Sequence, residues 1–500
     1  MTAQAAAGAD PDHVSLRAWV AVLGGVVGCF MAGMNVHVTN ASLPDVRGSL
    51  GASFEEGSWI TTAYLVAERV LMVGTGGFVL FSIACSLAPD INTMIVARAL
   101  QGAFGGVLIP LSFQIIVTEL PPSKHPFGMA LFAVANNVAQ AAGPSLGGWL
   151  TDAYSWRWIF YLQVPPGLLL LAAIGWATPR SPLSLDKLRG GDWGGIVAMA
   201  VGLSALQIVL EEGGRKDWFA SGYIVAMSAV AALFLIAFTA IELRRRDPLI
   251  NLRLLARYNF GLASLMQFTF GAIVFGVVFL VPNYFAEAHG YSAAQIGVTM
   301  IPYGLIQLVM SFATPRLMTW TSVRTIIILG FVIMAAGCMM NIHLDGDAAA
   351  NVIVPSLVVR GIGQSFIVVA LGVMAVDGLE KSEVGSASGL FSTVRNVGGA
   401  IGIAGAGQFV VEREKLHAAR IGEAVSPYSP EFHERMIALV RSFAHQQIDR
   451  VSALHAFQTA GLRQRALGLI DRIVHHEALL LAYSDAFLVA GVAMLACASG

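Results

Sequence analysis

Apolar runs of about twenty residues recur along this chain, and each is long enough for one helical crossing of a hydrocarbon core. They fall near 17–38, 92–115, 127–149, 157–177, 193–211, 219–241, 259–284, 294–314, 323–342, 351–376, 384–410 and 479–499. A membrane β-barrel would show short alternating segments instead, so the spanning elements are helices. Charged residues make up only 12% of the 500 residues, about half of what soluble domains carry. The sequence therefore describes an all-α polytopic membrane protein. A net charge of −1 with no basic block gives nucleic-acid binding no electrostatic support. Cys29, Cys85, Cys338 and Cys497 lie in separate apolar runs, which argues against a disulfide scaffold or a cysteine metal cluster. No small-residue cleavage site follows the first run, so it reads as a permanent span.

One stretch does not fit the count. Ser58–Ala88 reads SWITTAYLVAERVLMVGTGGFVLFSIACSLA, with Glu68-Arg69 in its middle. As a single helix it would be about 46 Å long, too long for one crossing, and it is too short for two crossings and a turn.

Basic residues in short loops set orientation. Arg180, Lys187 and Arg189, then Arg244–Arg246, Arg253 and Arg257, then Arg316 and Arg324, mark loops that belong on the cytoplasmic side. Between them lie basic-poor loops such as His343–Asp347. Residues 411–478 form a polar insertion before the last run. Apolar positions at helical spacing within it (Met436, Ile437, Leu439, Val440, Phe443) suggest amphipathic helices. The insertion is either a small extramembrane cap that docks a partner or a solvated loop.

A weak internal repeat is also visible. LFAVANNVAQAAGPSLGG at 131–148 aligns with LFSTVRNVGGAIGIAGAG at 390–407, and Arg98 and Phe104 align with Arg360 and Phe366. Duplicated halves in a helical membrane protein usually mean a transporter with its site at the repeat interface. The runs at 193–211 and 219–241 lie between the halves and have no counterpart.

Gly143, Pro144, Gly147 and Gly148 sit late in an apolar run, where Pro bends a helix and Gly lets backbones approach. From spacing alone this is either a kinked packing helix or a functional element. GPSLGGWLTDAYSWRWIFYLQVPPG (143–167), RALQGAFGGVLIP (98–110), TNASLP (39–44) and PLINLRLL (248–255) narrow the choice. Together they resemble the fourteen-span drug:proton antiporter family (EmrB/QacA type) of the major facilitator superfamily, over nearly the whole chain. The resemblance implies a major facilitator fold of two six-helix bundles plus two linker helices. It also implies proton-coupled efflux of hydrophobic or amphipathic compounds (multidrug export) by alternating access, from the inner membrane and without a cofactor. In a two-membrane bacterium it further implies a periplasmic adaptor protein and an outer-membrane channel. Expected boundaries are a tail at 1–16, an N-terminal bundle at 17–178, linker spans at 179–257 and a C-terminal bundle at 258–410. The insertion at 411–478 and a final span at 479–500 follow.

Charges at membrane depth mark functional candidates. By resemblance, Arg98 lies on a cavity-lining helix and tunes the proton affinity of a nearby carboxylate, with Gln101 one turn on. The family commonly places an Asp where this chain has Asn35, which does not titrate. His37, two residues on, either carries a proton near neutrality or is a neutral hydrogen-bonding group. Glu68 is the acid that survives inside an apolar run of the first half. Proton coupling is therefore assigned to Arg98, Glu68 and His37. A substrate cavity of amides and aromatics is assigned to Asn35, Asn40, Gln101, Asn137, Gln140, Gln267, Tyr303, Gln307, Gln364, Arg395 and Asn396. Such a lining suits amphipathic or cationic organic molecules. Asp485, in the final span, reads as a structural hydrogen-bonding group. His475-His476-Glu477 is weak evidence for a metal, no phosphate loop of the GxxxxGK[ST] kind exists, and no nucleophile–base pair suggests an enzyme.

Between Ala67 and Val70 the family pattern is interrupted. Relatives continue their second span and turn through a basic loop before the third, and that segment is missing here. The second span is thus expected to be truncated, with a short pair of half-spans and impaired transport as one consequence. Two other functions remain open. One is export of a dedicated metabolite or aromatic acid, and the other is a transport-impaired binding or regulatory protein.

Overall fold

A chain that leaves water must satisfy its own backbone hydrogen bonds, and helices follow wherever the apolar runs fall. A computed structural model of the chain describes residues 15–50, 71–177, 192–424, 434 and 460–499, apart from 107, 246, 247, 249, 345–347, 381 and 382. No strand occurs among the described residues. The first half comprises α1 (Leu16–Leu50), α2 (Leu71–Ser86), α3 (Ile91–Gly105), α4 (Leu108–Glu119), α5 (His125–Ala153), α6 (Trp158–Tyr161) and α7 (Val164–Ala177). Two linker helices follow, α8 (Trp193–Glu212) and α9 (Gly222–Arg244). The second half holds α10 (Tyr258–His289), α11 (Ala293–Met318), α12 (Val323–Met339), α13 (Ala350–Val376), α14 (Val384–Ala424) and α15 (Ala460–Ser499).

Seven of the described helices are long and apolar enough to cross a membrane. The run at 92–115 is divided into α3 and α4 after the Gly105-Gly106 pair. The run at 157–177 is divided into α6 and α7, where Pro165-Pro166 supply no donors and restart a helix. Asp90 caps α3, accepting from the Thr93 amide (2.9 Å) and hydroxyl (2.8 Å). These bonds favour the carboxylate and hold its pKa below the usual range.

Within the first half α1 packs on α5, α4 and α7, and α2 on α3 and α7. Within the second half α10 packs on α14, α12 on α13, and α15 on α14 and α12. Across the halves α5 lies against α11, α4 reaches α14, and α5 touches α13. The repeat aligns α5 with α14. The symmetric counterpart of the α5–α11 contact would therefore pair α14 with the second span of the first half, and residues 51–70 lie outside the described residues. Large apolar side chains such as Leu168, Leu169, Leu233, Ile236 and Val309 are exposed on helix exteriors, where lipid would cover them.

The α10–α14 seam is backbone against backbone. A Cβ at Gly398 would strike the carbonyl of Phe268, one at Gly402 the carbonyl of Ala272, and one at Gly271 the carbonyl of Arg395. Lipid supplies no hydrophobic force between helices, so close approach through glycine and the dispersion it permits hold such a seam.

α14 and α15 overrun the boundaries expected at 410 and 479. They contain 41 and 40 residues, about 60 Å each, twice a hydrocarbon thickness. The ends of the polar insertion thus continue the two spans as one helical hairpin. Asp485 accepts from Arg413 Nε (2.6 Å) and pairs with His417 Nε2 (2.8 Å), while His475 Nδ1 meets Glu414 (3.2 Å). Positions Met436, Ile437, Leu439, Val440 and Phe443 lie outside the described residues. On the basic-loop side, Arg257 forks onto Glu383 through two bonds of 2.7 Å. The Asn251 amide donates to Ser386 (2.5 Å), so the connector after α9 is tied to the start of α14.

Gly402→Val should lower the melting temperature of the detergent-solubilised protein by several degrees, since overpacking costs about 1–3 kcal/mol. Gly405→Ala, whose Cβ meets nothing within 4 Å, should leave the melt unchanged. Equal melts for the two variants would contradict the seam.

Candidate functional site

Among the described residues three arginines are buried inside apolar helices: Arg98 at 1% exposure, Arg360 at 1% and Arg395 at 5%. Removing a guanidinium from water is costly unless its donors are satisfied, so the surroundings of each reveal what completes it.

Arg98 lies on α3 inside the first half. Its Nη1 donates to Asn35 Oδ1 of α1 (2.6 Å) and to Gln101 Oε1 one turn on. Gln101 Nε2 in turn donates to Ser82 Oγ of α2 (2.6 Å), and that hydroxyl donates to the Phe78 carbonyl (2.8 Å). The guanidinium stands 5.5 Å from the Phe160 ring centroid, a cation–π distance. Two side-chain amides from different helices, Asn35 and Gln101, thus accept from Arg98.

Arg360, the repeat mate of Arg98, is placed alike in the second half. Its Nε donates to the Ser356 carbonyl (3.2 Å) and Nη2 to the Ser356 hydroxyl (2.9 Å). It stands 5.2 Å from the Phe487 ring centroid. Phe160 and Phe487 both come from the closing segments of their halves, so the two arginine pockets repeat in space as well as in sequence. Beside Arg360, Tyr303 donates to Gln364, and Ser365 donates to the Gln307 carbonyl (3.1 Å). Both side-chain amide atoms of Gln307 are buried without a hydrogen bond.

Arg395 occupies a third place, a small void between the halves. Phe113 of α4 and Phe132 of α5 wall it from the first half. From the second come Gln267 of α10, Val368 and Gly372 of α13, and Phe391, Ser392 and Arg395 of α14. The void has room for about one water molecule, so these residues of the two halves close on each other here.

Among the described residues, the side chains assigned to the cavity fall into three polar clusters. Asn35, Arg98 and Gln101 form the first; Tyr303, Gln307, Gln364 and Arg360 the second; Gln267 and Arg395 belong to the void. Asn396 is exposed, because one residue along a helix turns about 100° away from Arg395. Gly143, Gly147 and Gly148 are buried on α5, as packing glycines must be. Glu68 lies outside the described residues. So do the side chains of His37, Asn40, Asn137, Gln140 and Pro144, although their backbones lie on α1 and α5. Phe113, Phe132, Phe391 and Ser392 escaped the sequence assignment, because an aromatic or serine in an apolar run looks like any core residue. His475 and His476 do not converge: His476 Nε2 meets the Ala288 carbonyl at 2.9 Å while His475 faces Glu414.

Residues 25–403 match the family model described as Major Facilitator Superfamily. The chain is 26% identical to the colistin resistance protein EmrB of Acinetobacter baumannii, over 95% of this chain and 94% of that protein. It is 29% identical to the multidrug export protein EmrB of Haemophilus influenzae, over 83% of this chain and 84% of that protein. Among solved structures, the human organic anion transporter MFSD10 superposes with a TM-score of 0.51 at 14% identity, covering 95% of this chain and 99% of that one. At that identity the likeness concerns the fold.

Arg98→Met removes the donor that now serves both the Asn35 and the Gln101 oxygens, and losing a hydrogen bond to a charged group costs about 1.5–3 kcal/mol. The variant should melt several degrees below the parent. Arg98→Lys should recover only part, because an ammonium lacks the planar fork. An unchanged melt for Arg98→Met would show that the network is not structural.

Proposed function

This chain belongs to the Major Facilitator Superfamily, and on that premise we propose that it is a proton-driven exporter of hydrophobic or amphipathic organic compounds. The observation that carries the proposal is the pair of matching arginine pockets flanking an inter-half void. Such a void, closed here to the size of a water, is where a substrate would lodge when the α5–α11 and α4–α14 contacts part on one side. That geometry supports alternating access. The names of two relatives, a multidrug export protein and a colistin resistance protein, support organic compounds as cargo.

Proton coupling is assigned to the first half, where Arg98 stands among polar groups and His37 and Glu68 supply the titratable candidates. Asn35 does not titrate, so the proton must sit elsewhere in that half. The same relatives support placing this multi-pass protein in an inner membrane. The α14–α15 hairpin stands on the face opposite the basic loops. A periplasmic adaptor leading to an outer-membrane channel would meet it there.

A second assignment rests on one feature: the segment between Ala67 and Val70. A truncated second span, as the sequence there leads one to expect, would leave α14 without the counterpart that α5 has in α11. The chain would then bind its ligands without moving them.

Expression in a bacterial host stripped of its own pumps distinguishes the two. Export predicts several-fold higher tolerance to hydrophobic compounds, abolished by a protonophore. Well-folded protein in the membrane with no gain in tolerance would support the second assignment instead.

A further inference from the structure

Arg395 sits eleven residues into α14, about 16 Å along its axis and so near the middle of a 30 Å hydrocarbon layer. It is 5% exposed. Arg98 has its amides, and Arg360 has Ser356 for two of its donors while its Nη1 is left without a partner. Arg395, the one that lines the void between the halves, has no hydrogen bond or ion pair among the described residues, and its Nε is buried with no partner. Gln267, on the neighbouring α10, is likewise buried at 4%, with its Oε1 unsatisfied. Both side chains line the void between the halves, with Ser392 beside them.

A guanidinium keeps its charge even when buried, and an unpaired buried charge is strongly destabilising. A single water would satisfy one or two donors and neutralise nothing. The buried carboxylates of the described residues are too remote to serve: Asp192, Glu212 and Glu242 all lie on the linker helices or at their caps. Asp485 is held by Arg413 and His417. Among the described residues no carboxylate faces the void, and its other walls, Phe113, Phe132 and Phe391, offer aromatic surface to a ligand that would bring an anion to Arg395.

We propose that Arg395 and Gln267 form the headgroup subsite of the transport chamber, and that its ligand is a hydrophobic organic anion, a carboxylate borne on an apolar or aromatic body. The planar fork of Arg395 matches the two oxygens of a carboxylate, and the Gln267 side chain borders the same void. A cationic compound would meet a like charge there, so the positive charge removes organic cations from the substrates that an amide-lined cavity would otherwise suit. The site rests on the export assignment above, which it narrows to one charge class.

The test uses the full-length protein in lipid nanodiscs and three probes that share one ring system: pyrenebutyrate, pyrenebutanol and pyrenebutylamine. Equilibrium dialysis against empty nanodiscs removes partition into lipid. The acid should bind at least about tenfold more tightly than the alcohol or the amine. Arg395→Gln should erase that preference and Arg395→Lys should restore part of it. Should Arg395→Gln fail to fold, Gln267→Glu places a carboxylate in the same void and should also abolish the preference. Equal binding of the three probes by the parent protein, or an equal loss of all three in Arg395→Gln, overturns the subsite. Uptake into proteoliposomes driven by a proton gradient separates the two levels. Transport without charge preference overturns the subsite and leaves export standing. Charge-selective binding with no transport of any probe supports the subsite and overturns export.

Discussion

A positive charge that cannot be shed, held where water is scarce, governs much of this molecule. Each buried guanidinium must find donors' partners within reach of its own fork, and the local structure is arranged around that need. Around Arg98 the need recruits Asn35 from α1 and Gln101 from its own helix, and Gln101 in turn draws in Ser82 from α2. Three helices of the first half are thereby registered against one another by polar contacts. Around Arg360 the Ser356 hydroxyl and carbonyl, on the same α13, take two of the donors and leave Nη1 without a partner. Around Arg395 the need is left open, in the void where the two halves meet.

The rest of the packing is apolar and depends on how closely helices approach. In lipid an exposed leucine loses nothing by staying exposed, so α9 buries only four of its residues and still forms a span. Tight association needs shape, and the glycines of α10 and α14 provide it. The seam they make, continued by the polar pairs of the α14–α15 hairpin, joins three helices of the second half. Contacts across the halves, α5 on α11 and α4 on α14, come from larger side chains and enclose the void. Rigid halves around a closable gap are the mechanical requirement for moving a ligand across a membrane.

Much of this was legible in the primary structure. Apolar runs located the helices because hydrocarbon leaves the backbone no alternative, and the repeat announced the two halves. Arg98 and Arg360 stood out because charge at membrane depth is rare. Other features were hidden. Nothing along the chain showed that α14 and α15 run on past the membrane as a pair, because Arg413, His417 and Asp485 are joined only across helices. Asn396 looked as promising as Arg395 beside it, and the helical turn between them sends one into the void and the other outward. Phe113, Phe132 and Phe391 carried no distinguishing signal at all, since a chamber wall and a core use the same residues.

Composition and spacing alone determined that this is a helical membrane protein with duplicated halves and arginines that must be buried, because each of those facts follows from the cost of polar groups in hydrocarbon. Only the tertiary structure decided how the polar residues divide, into two closed pockets and one open void. Hydrogen-bond satisfaction depends on which helices are neighbours, and neighbours far apart in sequence are set by packing rather than by any local pattern.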